Sequence, residues 1–488
     1  MKKGISLKKN FVMNILLTMS SVVFPLITAP YVLRILQPEG TGRVDFATSV
    51  ISYFSVFAQL GIPTYGIRVC ARVRDDREQL TRTAHELLGI NLIMNVVSYA
   101  ALGAAVALIP AFREEKTLIL LISSTIFLTS IGMEWLYKAL EQYTYITVRS
   151  VVFKVVALIA TFLLVHEQKD YVIYGVISIF AASASNVLNL LHARKYIGFK
   201  PVGNYSLKRH LKPVMIFFAM ACAATVYTHL DNVMLGLMAT QTDVGYYGAA
   251  VKIKTILVSV ITALGGVLLP RASYYVEQGD MEEFRRITRK ALNFVVTAAA
   301  PVFLYFIFFA REGILLLSGD AYEGSVVPMQ IIMPTVLLIG ITNLLGIQIL
   351  VPTGREKTVL YSVIAGAAVD VVINALLIPR MQAAGAAAGT TVAETVVLLV
   401  QVYALRREMP DIARETHPLR ILAGMALGTA AALWVKALGW RPFPSLALSA
   451  VLFFGVYGAF LLMRKDEMAR EILGLVTARL PGGKRKRS

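Results

Sequence analysis

The stretch FVMNILLTMSSVVFPLITAPYVL, residues Phe11–Leu33, decides how the rest of the chain is read. It runs for twenty-three residues without a charge and follows a ten-residue segment that holds Lys2, Lys3, Lys8 and Lys9. A basic start before an apolar run is the outline of a secretory signal, but the apolar part of a signal is only about 7–15 residues long and ends at a small-residue cleavage site. This run is longer and has no convincing A-x-A site. A membrane-crossing helix needs about 20 predominantly apolar residues, so Phe11–Leu33 reads as an uncleaved first span.

Working outward with the same length criterion gives fourteen spans. They lie near residues 11–33, 44–66, 84–109, 117–137, 151–165, 171–191, 213–238, 244–269, 291–310, 326–351, 359–379, 385–404, 421–435 and 445–463. The fold class expected is therefore all-α, a polytopic membrane protein. Composition agrees: only 16% of the 488 residues are charged and mean hydropathy is +0.65, whereas about a quarter of a soluble protein is charged. The 48 basic and 30 acidic residues leave a net charge of +18. Nucleic-acid binders are also basic, but they cluster that charge on a folded surface, so no nucleic-acid partner is expected. With alternating spans and a cytoplasmic N-terminus, the inner connections hold 36 of the Lys and Arg residues and the outer ones nine. This positive-inside bias predicts both termini in the cytoplasm and a place in the cell membrane. No connection is long enough for a folded domain, so activity is expected within the bilayer.

Two stretches echo each other about 203 residues apart. One holds Val32-Leu33-Arg34-Ile35-Leu36, Gly42 and Phe46-Ala47; the other holds Val233-Met234-Leu235-Gly236-Leu237, Gly245 and Ala249-Ala250. Each joins the first and second spans of a six-span unit, which predicts parallel repeats about an axis along the membrane normal. Pro25 and Pro30 in span 1 and Pro328 and Pro334 in span 10 are candidate kinks, because each removes a helix hydrogen bond. Cys70 and Cys222 read as small hydrophobes rather than a disulfide framework.

Catalytic signatures are missing from the sequence. It has no G-x-x-x-x-G-K-[ST] phosphate loop and no H-E-x-x-H, and its six histidines form no metal-ligand pattern, so neither enzyme chemistry nor a cofactor is expected. His85-Glu86 and His166-Glu167 sit at span ends, where polar residues are ordinary. Charges inside spans are costly and usually face a cavity or a partner. They are Lys154, Asp231, Lys252, Lys254, Asp370 and Glu394. Asp231 and Lys252 flank the turn between spans 7 and 8 at similar depth, so an ion pair is the structural reading. Lys254 is rotated about 200° from Lys252, so both cannot face one partner, and one of the two is expected to line an aqueous cavity and meet an anionic substrate. Arg34, Arg68 and Arg149 lie at span mouths, where a guanidinium group either anchors the helix or holds phosphate. Lys154, Lys252, Lys254, Arg34, Arg68 and Arg149 are thus the substrate-binding candidates, and Asp231, Asp370 and Glu394 the ion-coupling candidates. The tail Lys484-Arg485-Lys486-Arg487 is expected to meet anionic membrane lipid.

Along nearly its whole length the chain resembles the polysaccharide-repeat (Wzx-type) flippases of the multidrug/oligosaccharidyl-lipid/polysaccharide exporter superfamily. Residues Arg34 to Gly42 resemble the family's R-x-L-G-P-E-x-x-G link. Leu60-Gly61-Ile62 through Tyr65-Gly66-Ile67-Arg68 is similar to its L-G-I-x-x-Y-G-x-R ending of span 2. Glu134-Trp135-Leu136-Tyr137-Lys138, Glu141, Ile146-Thr147-Val148-Arg149 and Lys154 resemble its span 4–5 link. Asp231, Gly236 and Val244-Gly245-Tyr246-Tyr247 are similar to its span 7–8 pattern, and Asn374, Ile378-Pro379 and Gly385-Ala386-Ala387 to its span 11–12 turn.

The resemblance implies two six-helix lobes, residues 1–212 and 213–410, followed by a terminal helix pair and basic tail, 411–488. It also implies a central cavity and export of an undecaprenyl-pyrophosphate-linked oligosaccharide from the inner to the outer leaflet for polysaccharide biosynthesis, by alternating access. Glycosyltransferases and a polysaccharide polymerase are the partners it suggests. Asp370 departs from the family, whose members often carry Asn there. A lipid II-type flippase and a cation-coupled drug antiporter share the superfamily and are the nearest alternatives. A membrane-embedded glycan polymerase is the alternative of another class, but it needs acidic groups on a substantial external loop that this chain lacks.

Overall fold

The computed structural model describes residues 7–263, 265–466 and 470. The basic tail Lys484–Arg487 lies outside the described residues. Among the described residues the secondary structure is helical throughout, with no strand. Twelve helices are long and apolar enough to cross a bilayer, and a bent pair makes a thirteenth. The first two expected spans fall together in Val12–Arg72, and expected span 10 falls on the bent pair Asp320–Ile332 and Thr335–Leu350. Each of the other expected spans overlaps one of the remaining membrane-length helical stretches.

Helix Leu7–Gln59 holds 53 residues and is interrupted at Gln37, where φ is 58° and ψ is 177°. This backbone region is essentially reserved for glycine, and the family pattern that the link resembles has glycine there. Pro38 follows, and a residue before proline is pushed out of the α conformation. The helix runs through Pro25 and Pro30 without a break, so those two prolines are not where it parts. Pro334 does mark a bend: the two pieces of the tenth expected span meet there at 46°.

The chain divides into two compact units, Met1–Gly248 and Ala249–Ser488. In the first unit, helix Lys208–Met238 packs along Leu7–Gln59. The two echoing stretches meet there. A Cβ on Gly42 would overlap the backbone of Gln241, and one on Gly245 would overlap the backbone of Pro38. The contact is reciprocal, each glycine facing the residue 203 positions from the one that its counterpart faces. Gly236 makes room for the Phe46 ring in the same way.

Helix Arg77–Leu108 shows how these residues build a bilayer-facing protein. Asn91, Asn95, Ser98 and Leu102 recur at helical spacing and are buried, whereas Ile93, Val96 and Val97 are exposed. The pattern inverts that of a soluble helix because lipid solvates the apolar face and polar groups must find partners inside. Asn91 Nδ2 donates to the Ala58 carbonyl at 3.0 Å, Asn95 Nδ2 to Ser130 Oγ at 2.8 Å, and Ser98 Oγ to the Phe54 carbonyl at 3.1 Å.

The second unit uses the same devices. Glu356–Met381 and Ala383–Ala404 form a hairpin joined at Gln382. Gly385 and Gly389 let the two helices approach so closely that a Cβ would meet the Leu377 carbonyl and the Asn374 side chain. The terminal helices Pro418–Leu433 and Pro442–Met463 pair through Gly424 and Gly428 against Tyr457 and Phe453. Tyr457 donates to the Thr297 carbonyl at 2.8 Å and Tyr305 to the Leu446 carbonyl at 3.0 Å. These bonds fasten the terminal pair to helix Met281–Phe308.

Two substitutions test the first unit. Gly245→Val is expected to cost at least about 1–3 kcal/mol through overpacking, read as a lower unfolding temperature in detergent. Gln37→Gly is expected to raise that temperature by relieving on the order of 1 kcal/mol of backbone strain.

Candidate functional site

Two adjoining cavities in the first unit collect its candidate chemistry. One, of about 650 Å³, is bounded by the first arm of Leu7–Gln59, helix Tyr143–Leu164 and helix Tyr171–Ile179 with its continuation. Lys154 lines it, and its ammonium donates to Ser20 Oγ at 2.9 Å and Ser21 Oγ at 2.8 Å. Glu134 and Lys138 line the same cavity and pair with each other at 2.8 Å. Glu134 is placed by a helix break. Lys116–Gly132 ends where Met133 takes left-handed backbone, φ 41°, and a new short helix, Glu134–Ala139, begins. Gly132 has no room for a Cβ because the Asn186 side chain lies against it.

Arg149 sits behind Glu134 rather than at an open mouth. Its guanidinium is buried, donates to the Ser185 carbonyl at 2.8 Å and to Asn186 Oδ1 at 3.4 Å, and lies 3.7 Å from Glu134 Oε2. Ser185 follows a π-helical turn, Phe180–Ala184, between Tyr171–Ile179 and Ser185–Ala193. Such turns widen the helix and often mark functional positions. Here the turn forms part of the wall between the two cavities, since Ser178 and Ala182 line both.

The second cavity, of about 550 Å³, carries no carboxylate, ammonium or guanidinium among its lining residues. Its polar groups are Thr48, Ser52, Ser55 and Gln59 from the second arm of the first helix, with Thr64, Thr125, Ser178, Ser183, Thr225 and His229. Sequence reasoning missed it by weighing formal charges. The signal was present, because 48, 52, 55 and 59 recur at i, i+4, i+7 and i+11 and so share one helix face.

The remaining candidates line neither of these two cavities. Arg34 and Arg68 are exposed. Asp231 is buried and accepts a hydrogen bond from the Tyr247 hydroxyl. In the second unit, Lys252 and Lys254 are half-buried on Gln241–Thr262. Asp370 is buried on Glu356–Met381 and accepts from Asn374 Nδ2 at 3.2 Å, and Glu394 is buried on the facing helix Ala383–Ala404.

Glu86, expected to be an ordinary span-end residue, is fully buried and holds down the link before Lys208–Met238. It accepts from the Ser206 amide at 2.6 Å, from Arg209 Nε at 3.1 Å and from His210 Nε2 at 2.8 Å. His85 Nε2 meets the Gly198 carbonyl at 2.8 Å. These partners lie more than 110 residues away in sequence, so span-end position alone did not reveal the role.

A family model described as "Polysaccharide biosynthesis protein" matches residues 7–276, more than half of the chain. The chain belongs to the polysaccharide biosynthesis protein family. A second model, MatE, matches residues 216–376. Two relatives of this family member bear the name "Putative O-antigen transporter". The one from Escherichia coli K12 is 22% identical over 356 residues, covering 72% of this chain and 85% of its own. The one from Shigella dysenteriae is 25% identical over 411 residues, covering 82% and 100%. Among solved structures, the lipid II flippase MurJ in an inward closed conformation superposes with a TM-score of 0.72 at 14% identity, covering 94% of this chain and 100% of that one. An inward-facing multidrug-resistance MATE transporter gives 0.60 at 14% identity, covering 83% and 99%. At such identity these structures share the fold with this family member.

Burial separates the mouth arginines. Arg149→Ala is expected to lower stability by about 1–3 kcal/mol, because the Ser185 carbonyl and Asn186 Oδ1 lose a donor. Arg68→Ala is expected to stay within about 0.5 kcal/mol of the parent, with thermal unfolding in detergent as the measurement for both.

Proposed function

We propose that this family member is a flippase that moves an undecaprenyl-pyrophosphate-linked oligosaccharide repeat from the cytoplasmic to the outer leaflet, by alternating access, for polysaccharide biosynthesis. The observation that carries the reading is Lys154, an ammonium group on an apolar helix, held over a roomy cavity by two serine hydroxyls. An ionised group at such a position is costly unless it serves a partner, and phosphate oxygens accept the same hydrogen bonds that the serines accept. A sugar head group cannot cross hydrocarbon unaided, because its hydroxyls would lose their hydrogen bonds. A polar cavity that shields the head while the lipid tail stays in the bilayer meets that difficulty. The names of the relatives point the same way, toward transport rather than enzyme chemistry.

Fourteen crossings fit this reading. The helix Val12–Arg72 holds 61 residues, about 90 Å at 1.5 Å per residue, and the hydrocarbon core is only ~30 Å thick. Its two arms either side of Gln37 are therefore taken as separate crossings. The charge bias of the connections supports cytoplasmic termini in the cell membrane. In this reading the lobes are 1–212 and 213–410, followed by the terminal pair 411–488. Lys154 contacts the pyrophosphate, with Lys252, Lys254, Arg34, Arg68 and Arg149 as further basic contacts or supports. Asp231, Asp370 and Glu394 carry the coupling ion. The lipid II carrier presents the same pyrophosphate, and the superposition with its flippase keeps that cargo as the second reading.

Depleting the protein is expected to leave lipid-linked repeats in the inner leaflet, and a Lys154→Ala chain is expected to restore less than a tenth of export while inserting normally. Lys154→Arg, which keeps the charge, should restore most of it. Export at the parental rate by Lys154→Ala would reject the cargo role. Repeats that reach the outer leaflet unpolymerised on depletion would favour a polymerase instead.

A further inference from the structure

We propose that the uncharged cavity beside Lys154 is a glycan subsite, shaped for neutral sugar residues next to the pyrophosphate. The proposal rests on the flippase reading and adds to it a separate place and a charge preference for the sugar. Four polar side chains, Thr48, Ser52, Ser55 and Gln59, line one helix face, and Thr225 and His229 stand on helix Lys208–Met238. Several lining hydroxyls spend their proton on their own helix. Ser52 donates to the Thr48 carbonyl at 2.8 Å, Thr125 to the Ile122 carbonyl at 2.7 Å, and Ser178 to the Tyr174 carbonyl at 2.9 Å. What these groups turn toward a ligand is lone pairs, so the cavity suits a molecule rich in hydroxyl donors. Gln59 adds an amide that both donates and accepts. Ile51, Ile122 and Ile179 supply apolar patches for the C–H faces of sugar rings.

The cavity's chemistry narrows the occupant. A charged ligand would be desolvated against a lining whose one titratable side chain is His229, which is unfavourable for either sign. An apolar drug would cover the outward lone pairs of these hydroxyls and the Gln59 amide without offering them a hydrogen bond, which is unfavourable. A neutral sugar satisfies them. The volume of about 550 Å³ lies in the range of small-molecule sites. At roughly 30 Å³ per water it equals on the order of eighteen waters, the space of about three hexose units. Ser178 and Ala182 line both this cavity and the Lys154 cavity, so the two adjoin and a sugar joined to pyrophosphate would occupy them together.

Binding to the purified full-length chain in detergent tests the proposal, with maltotriose, cellotriose and chitotriose as neutral probes, trigalacturonate as the acidic one and inorganic pyrophosphate as the control. At least one neutral trisaccharide is expected to bind, and to bind at least tenfold more tightly than trigalacturonate. The near-isosteric double variant Ser52→Ala/Thr225→Val is expected to weaken that binding at least tenfold while unfolding in detergent at the parental temperature. The proposal is overturned if no neutral trisaccharide binds the parent, if trigalacturonate binds as well, or if the double variant binds like the parent. Pyrophosphate separates the two readings. Loss of its binding in Lys154→Ala supports the phosphate role, whereas its unchanged binding there removes that role without touching the sugar result.

Discussion

The close approach of backbone to backbone around Gly42 and Gly245 is the constraint on which the first unit depends. Neither position can carry a side chain, because each faces main-chain atoms rather than a movable group. In a bilayer the hydrophobic effect does not press helices together, since lipid tails are as apolar as leucine. Adhesion then comes from van der Waals contact at short range and from interhelical hydrogen bonds. The glycines supply the first and Asn91, Asn95 and Ser98 the second. Arms that hold cavity residues on both sides of Gln37 are positioned by this contact.

The same logic explains where the candidate site lies. Lys154 reaches the first arm through Ser20 and Ser21, while Thr48 to Gln59 belong to the second arm. The break at Gln37 thus divides one continuous helix into a part that meets an ammonium and a part that presents hydroxyls. The π turn at Phe180–Ala184 stands between them, and Arg149 secures its far end through the Ser185 carbonyl. The cationic and the neutral chemistry lie side by side and share Ser178 and Ala182 as lining.

Much of this was legible in the sequence, for physical reasons. Hydrocarbon imposes a minimum length of apolar residues, so the helices from Arg77–Leu108 onward fall where hydropathy puts them. The echo between the two stretches was legible because Gly42 and Gly245 obey the same packing demand from opposite sides. The break at Gln37 was legible only as a link between spans 1 and 2, since a non-glycine residue at positive φ has no propensity signal of its own. Glu86 was passed over because burial by Ser206, Arg209 and His210 depends on a contact more than 110 residues distant. For Arg149 anchor and phosphate ligand were both left open, for a mouth position does not say that the guanidinium turns inward. The hydroxyl cavity was missed because attention to formal charge overlooks a row of neutral side chains at helical spacing.

The ionic grouping around Glu134 has an electrical consequence. Lys138, Lys154 and Arg149 against one carboxylate leave a formal surplus of two positive charges. On the flippase reading the cargo is a pyrophosphate diester with about two negative charges, which would bring the loaded grouping close to neutral. Carrying a net elementary charge through the membrane potential involves about 2.3 kcal/mol per 100 mV. On the flippase reading, the protein's own cations cancel most of that work, and the loaded protein would reorient with little sensitivity to voltage while the empty one would feel the field.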